Sequence, residues 1–494
     1  MLTAIPKMDL LDTAAKERIH EASLSILEET GIQIDSEMVA TTLQEHGIPC
    51  EVTGQQGDRT LWRVRFDRNT IMQSLKTAPK TITLGGRDTK HDLYLDGKGS
   101  PDSVYYGTLG SAPVVHDIET GERRLGTLKD LVQFARLTQQ LDHLDFFHVS
   151  VMPSDVPNSV VELYRWKATF ENTAKHSITA ASYDAKNLPY LLEMAAVVQG
   201  GEDELRRRPI FTATECPIAP LFFAERSAEN MVGLARAGLP VIIYSEPFAG
   251  ASSPVTLAGT LLVTNAEQLA GIALTQIANP GAPVIYGGVS TTMDIRTGNI
   301  SFGSPETGLL NVATTEMARF YEMPKEGSGG RTDSKLVDCQ AGFEKQGNLL
   351  LAVLAGANLN NCAGTLESNY AVSLAQLVID DDIAKRTKRI LAGIALDEET
   401  LAADLIKEIG PGGQYLGNQH TLAHMRQELC LSDLCSKGTY EDWAKKGSLS
   451  LEQMAQKKAL ELLNFSEPAS LEPAVVKELE KILESAEKSH GLKG

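Results

Sequence analysis

The sequence predicts an α/β protein built on a (βα)8 TIM barrel, with an N-terminal α/β cap and a C-terminal helical extension. Three observations carry that expectation. Short apolar, β-rich runs alternate with helical patterns over roughly 260 residues. Eight such runs are present. No Gly-x-Gly-x-x-Gly follows any of them, which counts against a doubly wound open sheet, the main competing architecture.

Taken in order, residues 10–31 read as an amphipathic helix, because Ile19, Ala22, Ile26 and Leu27 recur at helical spacing and Gly31 marks the end. Further helices are expected at 36–46 and 68–77, with strand-like runs at 61–66 and 81–84. Residues 1–100 therefore form the expected cap, and the Gly- and Asp-rich stretch 95–103 is its exit. The barrel is expected over 101–370. Its strands are placed at 104–109, 146–151, 177–181, 210–214, 241–245, 284–287, 325–329 and 359–363, the last two short and rich in Gly and Asn. Helices at 128–141, 160–172, 188–199, 227–237, 266–277, 306–322 and 335–356 lie between them. Residues 371–494 are expected to be the helical extension, with helices at 371–394, 451–463 and 474–488 and a linker punctuated by Pro468 and Pro473.

Composition narrows the function classes. The 494 residues are 42% hydrophobic and 22% charged, as in ordinary globular proteins, and carry a formal charge of -18. Such acidity works against nucleic acid and anionic lipid as partners. The start lacks a basic region followed by an apolar one, and no stretch approaches the ~18 apolar residues needed to span a bilayer. The six cysteines are scattered, which suits reduced thiols. A cytoplasmic location and no membrane attachment are expected.

In this fold the loops after the strands build the site. Tyrosines and acids dominate those positions, among them Tyr183, Glu215, Tyr244, Glu246, Tyr286 and Glu326. An ammonium group favours an aromatic face, worth up to ~2 kcal/mol once water is excluded, and a carboxylate near its charge. Single tyrosines at strand ends are more often core or rim residues. Glu326-Gly-Ser-Gly-Gly-Arg-Thr-Asp-Ser-Lys335 places a permissive loop before a helix, where free N–H groups and Arg331 would hold an anion. The bland alternative is a glycine-rich turn that merely lets the chain pass, and a phosphate would fit as well as a carboxylate. Metal and nucleophile templates fail: there is no His-Glu-x-x-His, no Cys-x-x-Cys and no Gly-x-Ser-x-Gly, and His420 and His424 share a helix face without a following glutamate.

Several motifs resemble one family in order and spacing. They are Ile19-His-Glu-Ala-Ser23 with Leu27-Glu-Glu-Thr-Gly31, Val115-His-Asp-Ile-Glu-Thr-Gly-Glu-Arg-Arg124, Gly327-Ser-Gly-Gly-Arg-Thr-Asp-Ser-Lys335 with Asp338-Cys-Gln-Ala-Gly-Phe-Glu344, Gly410-Pro-Gly-Gly-Gln-Tyr-Leu416 and His420-Thr-Leu-Ala-His-Met-Arg426. Together they resemble the trimethylamine–corrinoid protein methyltransferase family over nearly the whole chain. The resemblance implies a TIM barrel, a methylamine-like donor, and cob(I)alamin carried by a separate corrinoid protein as methyl acceptor, with no tightly bound metal. The archaeal trimethylamine enzymes carry pyrrolysine late in the barrel, whereas this chain uses only the twenty ordinary residues. The corresponding position is expected within 326–335. Family members without pyrrolysine resemble demethylases of quaternary amines such as glycine betaine, proline betaine or carnitine.

The resulting expectation is a homo-oligomeric quaternary amine:corrinoid methyltransferase, with glycine betaine as the first candidate donor. Glu246 and Glu326 would act catalytically by balancing the ammonium charge. Tyr183, Tyr244, Phe248 and Tyr286 would line it, while Gly329, Gly330, Arg331 and Asp333 would complete the substrate-binding set around a carboxylate. Two rival readings stand beside this one. One is a barrel that methylates a corrinoid from methyltetrahydrofolate, using Asn361 and Glu326 on the pterin. The other is a betaine-binding module without turnover.

Overall fold

The computed structural model describes residues 2–465 and 469–492, so Pro468 of the expected linker lies outside the described residues. Eight parallel strands form its centre: β1 (Tyr105–Thr108), β2 (Phe146–His148), β3 (His176–Thr179), β4 (Phe211–Glu215), β5 (Val241–Tyr244), β6 (Val284–Gly287), β7 (Glu326–Gly327) and β8 (Leu359–Ala363). They pair in that order, with β8 returning to β1. A parallel bridge between Tyr286 and Lys325 joins β6 to the start of β7 and closes the ring. The expected (βα)8 barrel is thus present, each strand lying inside its expected run or within one residue of it.

The fifth and sixth strands are the most legible, because a barrel strand covered on both faces can read as a continuous apolar run. Val241–Tyr244 and Val284–Gly287 are buried at every position. A helix follows each strand: α1 (Leu128–Gln140), α2 (Val161–Asn172), α3 (Leu188–Gln199), α4 (Glu225–Ala237), α5 (Leu257–Ala278), α6 (Pro305–Phe320), α7 (Cys339–Ala355) and α8 (Leu374–Leu391). The last of these, α8, lies in the stretch expected for the C-terminal extension.

Alternation along the strands sends Phe146, Ile178, Ile242, Ile285 and Leu359 into the ring, where they meet Ile82, Leu84, Leu93 and Leu95. Those four belong to a hairpin, Thr81–Leu84 with Leu93–Asp96, that plugs the end where the strands begin. Gly85 fixes it there, its N–H donating to the carbonyl of Pro209 just before β4 (2.7 Å). Access to the interior is left to the opposite end.

At that end the strand–helix loops build two small sheets. Val114–His116, Arg123–Leu125, Thr365–Leu366 and Ala371–Ser373 form one, and Phe248–Ala249, Thr291–Asp294 and Asn299–Ser301 the other. The cap contains a further hairpin, Cys50–Gln56 with Arg59–Val64, whose first strand is largely exposed and polar and so gives no apolar signal.

The expectation about apolar stretches needs correcting for α5. Among the described residues this helix alone is long and apolar enough, by length and composition, to cross a membrane, although 72% of its best window is buried inside the protein. Asn265, Glu267 and Gln268 interrupt its apolar run without lowering the mean hydropathy far. Beyond α8, Leu451–Phe465 packs along α8 and α1, and Pro473–Ser489 packs along α3 and α2. Between α8 and these helices, Glu398–Leu401, Ala403–Ile409, Gln419–Glu428 and Tyr440–Lys445 bury no residue.

Candidate active site

A cavity of about 400 Å³ opens at the unplugged end of the barrel, within the size range of small-molecule sites. Strand alternation explains its floor. Positions two residues beyond the inward-facing Phe146 and Ile242 face the same way, so His148 and Tyr244 line it, as do Cys216 and Glu246 just past the ends of β4 and β5. Tyr183, Phe248 and Phe302 come from the loops above, Arg226 from the first turn of α4, and Arg331 from the loop after β7.

Arg331 is held on every side. Its Nη1 donates to Glu246 Oε1 (2.9 Å) and its Nη2 to the Tyr244 hydroxyl (2.5 Å) and Ser328 Oγ (3.4 Å). With the Asn369 amide oriented oxygen-inward, that oxygen accepts from Nη1 (2.8 Å) and Nε (3.2 Å). The guanidinium carbon lies 4.1 Å from the Phe302 ring centre. All five N–H donors are therefore engaged. Tyr244 also shares a hydrogen bond with Ser328 Oγ (2.7 Å), which donates onward to Glu326 Oε1 (3.3 Å). A chain of polar contacts thus runs from the barrel interior to the cavity wall.

Glu326 lies beneath that wall. Its Oε2 accepts the Gly288 N–H (3.0 Å) and its Oε1 a short contact from Asn361 Nδ2. Burial raises its pKa, against the opposing charges of Lys325 and Arg331. Burial likewise raises Glu246, opposed by Arg331. Only Oε1 of Glu246 is tied to the protein among the described residues, which leaves Oε2 as an acceptor on the cavity side.

The expected site residues divide accordingly. Tyr183, Tyr244, Phe248, Glu246 and Arg331 share the cavity, with Glu326 joined to them through Ser328. Tyr286 does not join them. On β6 it is Ile285 that points inward, so Tyr286 points outward and donates to Asn265 Oδ1 of α5 (3.0 Å), a displacement of one residue that reverses the face. Asp333 spends both oxygens on Ser301, Phe302, Gly303 and Ser368, clamping three loops together. Gly329 packs against Leu349 of α7, where an added Cβ would lie 2.7 Å from a backbone carbon. Gly330 donates to the Asn361 carbonyl (3.3 Å) and accepts from Lys345 Nζ (2.8 Å). Its N–H is therefore not free for a carboxylate, and neither is Arg331.

His148, Phe302 and Arg226 on the wall, and Arg165 behind it, escaped sequence reasoning. His148, buried with Nδ1 unpartnered, is pushed down to about 3 by burial and by Arg165 and Arg331, so it is a neutral imidazole. Arg165 ties the wall together, donating to the Tyr183 hydroxyl (3.2 Å), Ser111 Oγ (2.8 Å) and three further acceptors. Phe302 stacks under Arg331. Arg226 donates through Nη1 to the Ser182 carbonyl (3.1 Å) and to buried Glu215 (3.2 Å), whose carboxyl is pushed up to about 7, chiefly by burial. Only the position of Arg226 one residue into the helix after a strand-end glutamate could have flagged it. Cys216 opens onto the cavity, but the enclosing walls, then Glu246 and Glu215, raise its thiol above the ordinary range and keep it protonated. The wall thus offers rings, an acceptor and guanidinium groups, with no activated nucleophile. No group of three or more His, Cys, Asp or Glu among the described residues could hold a metal ion.

Comparison with known proteins gives this geometry a context. The model of a family described as trimethylamine methyltransferase (MTTB) matches residues 1–491. The chain is 34% identical over 474 residues to trimethylamine methyltransferase MttB of Desulfitobacterium hafniense strain DSM 10664 / DCB-2, covering 96% of this chain and 93% of that one. It is 33% identical over 492 residues to glycine betaine methyltransferase of D. hafniense strain Y51, covering 99% of each. Among solved structures it resembles the Methanosarcina barkeri monomethylamine methyltransferase, with a TM-score of 0.50 at 12% identity over 92% of each chain, a likeness of fold.

Proposed function

Because the chain belongs to the trimethylamine methyltransferase family, we propose that it moves a methyl group from a quaternary amine to cob(I)alamin carried by a separate corrinoid protein, with glycine betaine as first candidate donor. The observation that carries this reading is a barrel-end cavity walled by Tyr183, Tyr244, Phe248 and Phe302, into which Glu246 presents an oxygen unused by the described residues. Such walls suit a trimethylammonium head, whose charge is spread over methyl groups and attracted by ring faces.

A quaternary nitrogen already carries its charge and leaves as a neutral tertiary amine, so methyl loss needs no acid. The corrinoid, when bound, supplies the nucleophile. What the chain must do is hold one N–CH3 toward the opening and keep water away. A His148 too weakly basic to take a proton near neutrality, a protonated Cys216 and a fully engaged Arg331 fit that task, since none serves as a base there. Exposed apolar side chains on five different loops around the opening, Ile218, Val255, Ile295, Leu336 and Tyr370, support docking of an acceptor protein there. A homo-oligomer belongs to the same reading, supported by Ile394, Leu401, Ile406, Leu416 and Leu422, all exposed on a segment that buries almost nothing itself.

The test mixes the protein with cob(I)alamin and a panel of glycine betaine, proline betaine, carnitine and trimethylamine, and follows the absorption change to methylcobalamin. Methylation from at least one quaternary donor is expected. Turnover of trimethylamine with none of the quaternary amines would overturn the proposal.

A further inference from the structure

The geometry points to Arg226 as an anion-binding subsite that makes the donor a zwitterion, a trimethylammonium joined to a carboxylate. This rests on the proposed quaternary-amine reading and adds the second half of the substrate. The charged side chains lining the cavity are Arg226, Arg331 and Glu246. A lone cation would meet two guanidinium groups there against the Glu246 carboxylate, an unfavourable balance at low local dielectric. Glu215 behind Arg226, its carboxyl pushed up to about 7, offsets only part of that excess near neutral pH. A donor that brings its own carboxylate corrects it.

Among the wall cations only Arg226 has donors to offer. Every N–H of Arg331 is engaged by Glu246, Tyr244, Ser328 and Asn369. Arg165, behind the wall, spends Nε, Nη1 and Nη2 on Val151, Tyr183, Ser111, Val149 and Thr179. Arg226 uses Nη1 alone, on the Ser182 carbonyl and Glu215, so its Nε and Nη2 make no hydrogen bond to the described residues. Its side chain is 35% exposed, onto the cavity. Glu215 and the Tyr183 ring, 5.9 Å from the guanidinium carbon, fix its position. Two adjacent free N–H groups on a fixed planar fork are what a carboxylate accepts in bidentate fashion. On the other side, Glu246 Oε2 and the Phe248 ring remain for the ammonium end.

The experiment is isothermal titration of the full chain, without acceptor, with glycine betaine and with choline, which has the same trimethylammonium head but a neutral hydroxyl in place of the carboxylate. Wild type should bind betaine more tightly than choline, and Arg226→Gln should weaken betaine roughly 10- to 100-fold, as for loss of charged hydrogen bonds, leaving choline within about twofold. Arg226→Lys, which keeps the charge without the fork, should fall between and serves if the glutamine variant does not fold. Equal wild-type affinities, an equal loss for both ligands, or an undiminished betaine affinity would each overturn the subsite. Arg226-dependent betaine binding with no methyl transfer from any quaternary donor in the turnover assay would keep the subsite and sink the proposed function; transfer from betaine unaffected by Arg226 would do the reverse.

Discussion

The barrel and the segment 392–446 draw on similar apolar residues and use them in opposite ways. In α5, fifteen residues are buried, Glu267 and Gln268 among them. In the four helices of the segment none is, although Leu401, Ile406 and Leu422 are available. Burial is decided by neighbours, and composition alone does not decide it. A strand ring supplies a closed surface against which each helix removes apolar area from water, at about 25 cal/mol per Å². The segment has its end strand Ile394–Leu396 paired with Leu2–Ala4 and little else beneath it.

The contrast should be sharpest for charged pairs. Lys345 of α7 is buried, donating to Asp380 of α8 (2.9 Å) and to the carbonyls of Gly330 and Cys362. Asp380→Ala strands that ammonium and should cost about 3–5 kcal/mol. In the segment, Lys407 and Asp404 pair at 2.8 Å with both side chains exposed, and Asp404→Ala should cost under about 0.5 kcal/mol. Urea unfolding of the two variants measures both. Comparable losses would mean that the segment is packed as the barrel is.

The second difference is in pH response. Burial, opposed by hydrogen bonds from Ser245 (2.5 Å) and the Leu221 N–H (2.8 Å), pushes Glu267 up to about 7. A carboxyl whose folded pKa lies above its unfolded value contributes stability that is fully present below about 4.5 and lost as pH rises through about 7. The loss is at most about 3 kcal/mol. Glu267→Gln keeps an acceptor for Leu221 and cannot ionise, so the difference between wild type and variant should grow across that window in the variant's favour. A constant difference from pH 4.5 to 8 would show that Glu267 titrates normally.

Legibility in the sequence followed the same division. Although β7 and β8 carry Glu326, Asn360 and Asn361, strands such as β5 and β6 were readable because both faces are covered, which makes the run apolar throughout. That very property hid which residues face inward: β6 carries no polar alternation, so Tyr286 was placed in the cavity when Ile285 and Gly287 hold the inward positions. Tyr183, Tyr244, Phe248, Glu246 and Arg331 could be named because they stand at strand ends or the loops just after them. Their pairing could not, since Arg331 reaches Glu246 across 85 residues and Asn369 from another loop. Arg226 is an ordinary helix arginine until the fold sets it over Tyr183. Phe302 sits in a loop, its N–H donating to Asp333, a residue the sequence assigns to the substrate.

The smallest effect is the most telling about the segment. Leu416 is 84% exposed, in the loop before Gln419–Glu428, and its removal takes almost no apolar area from the folded chain. Leu416→Ala should therefore shift the unfolding free energy by less than about 0.5 kcal/mol at concentrations where the chain is monomeric. If a second copy covers the segment, the same variant should weaken self-association in sedimentation equilibrium while leaving the monomer's unfolding untouched. A loss of about 2 kcal/mol or more in the dilute chain, the range of core leucine truncations, would place Leu416 in an intramolecular contact and remove the contrast from which the oligomer reading draws its support.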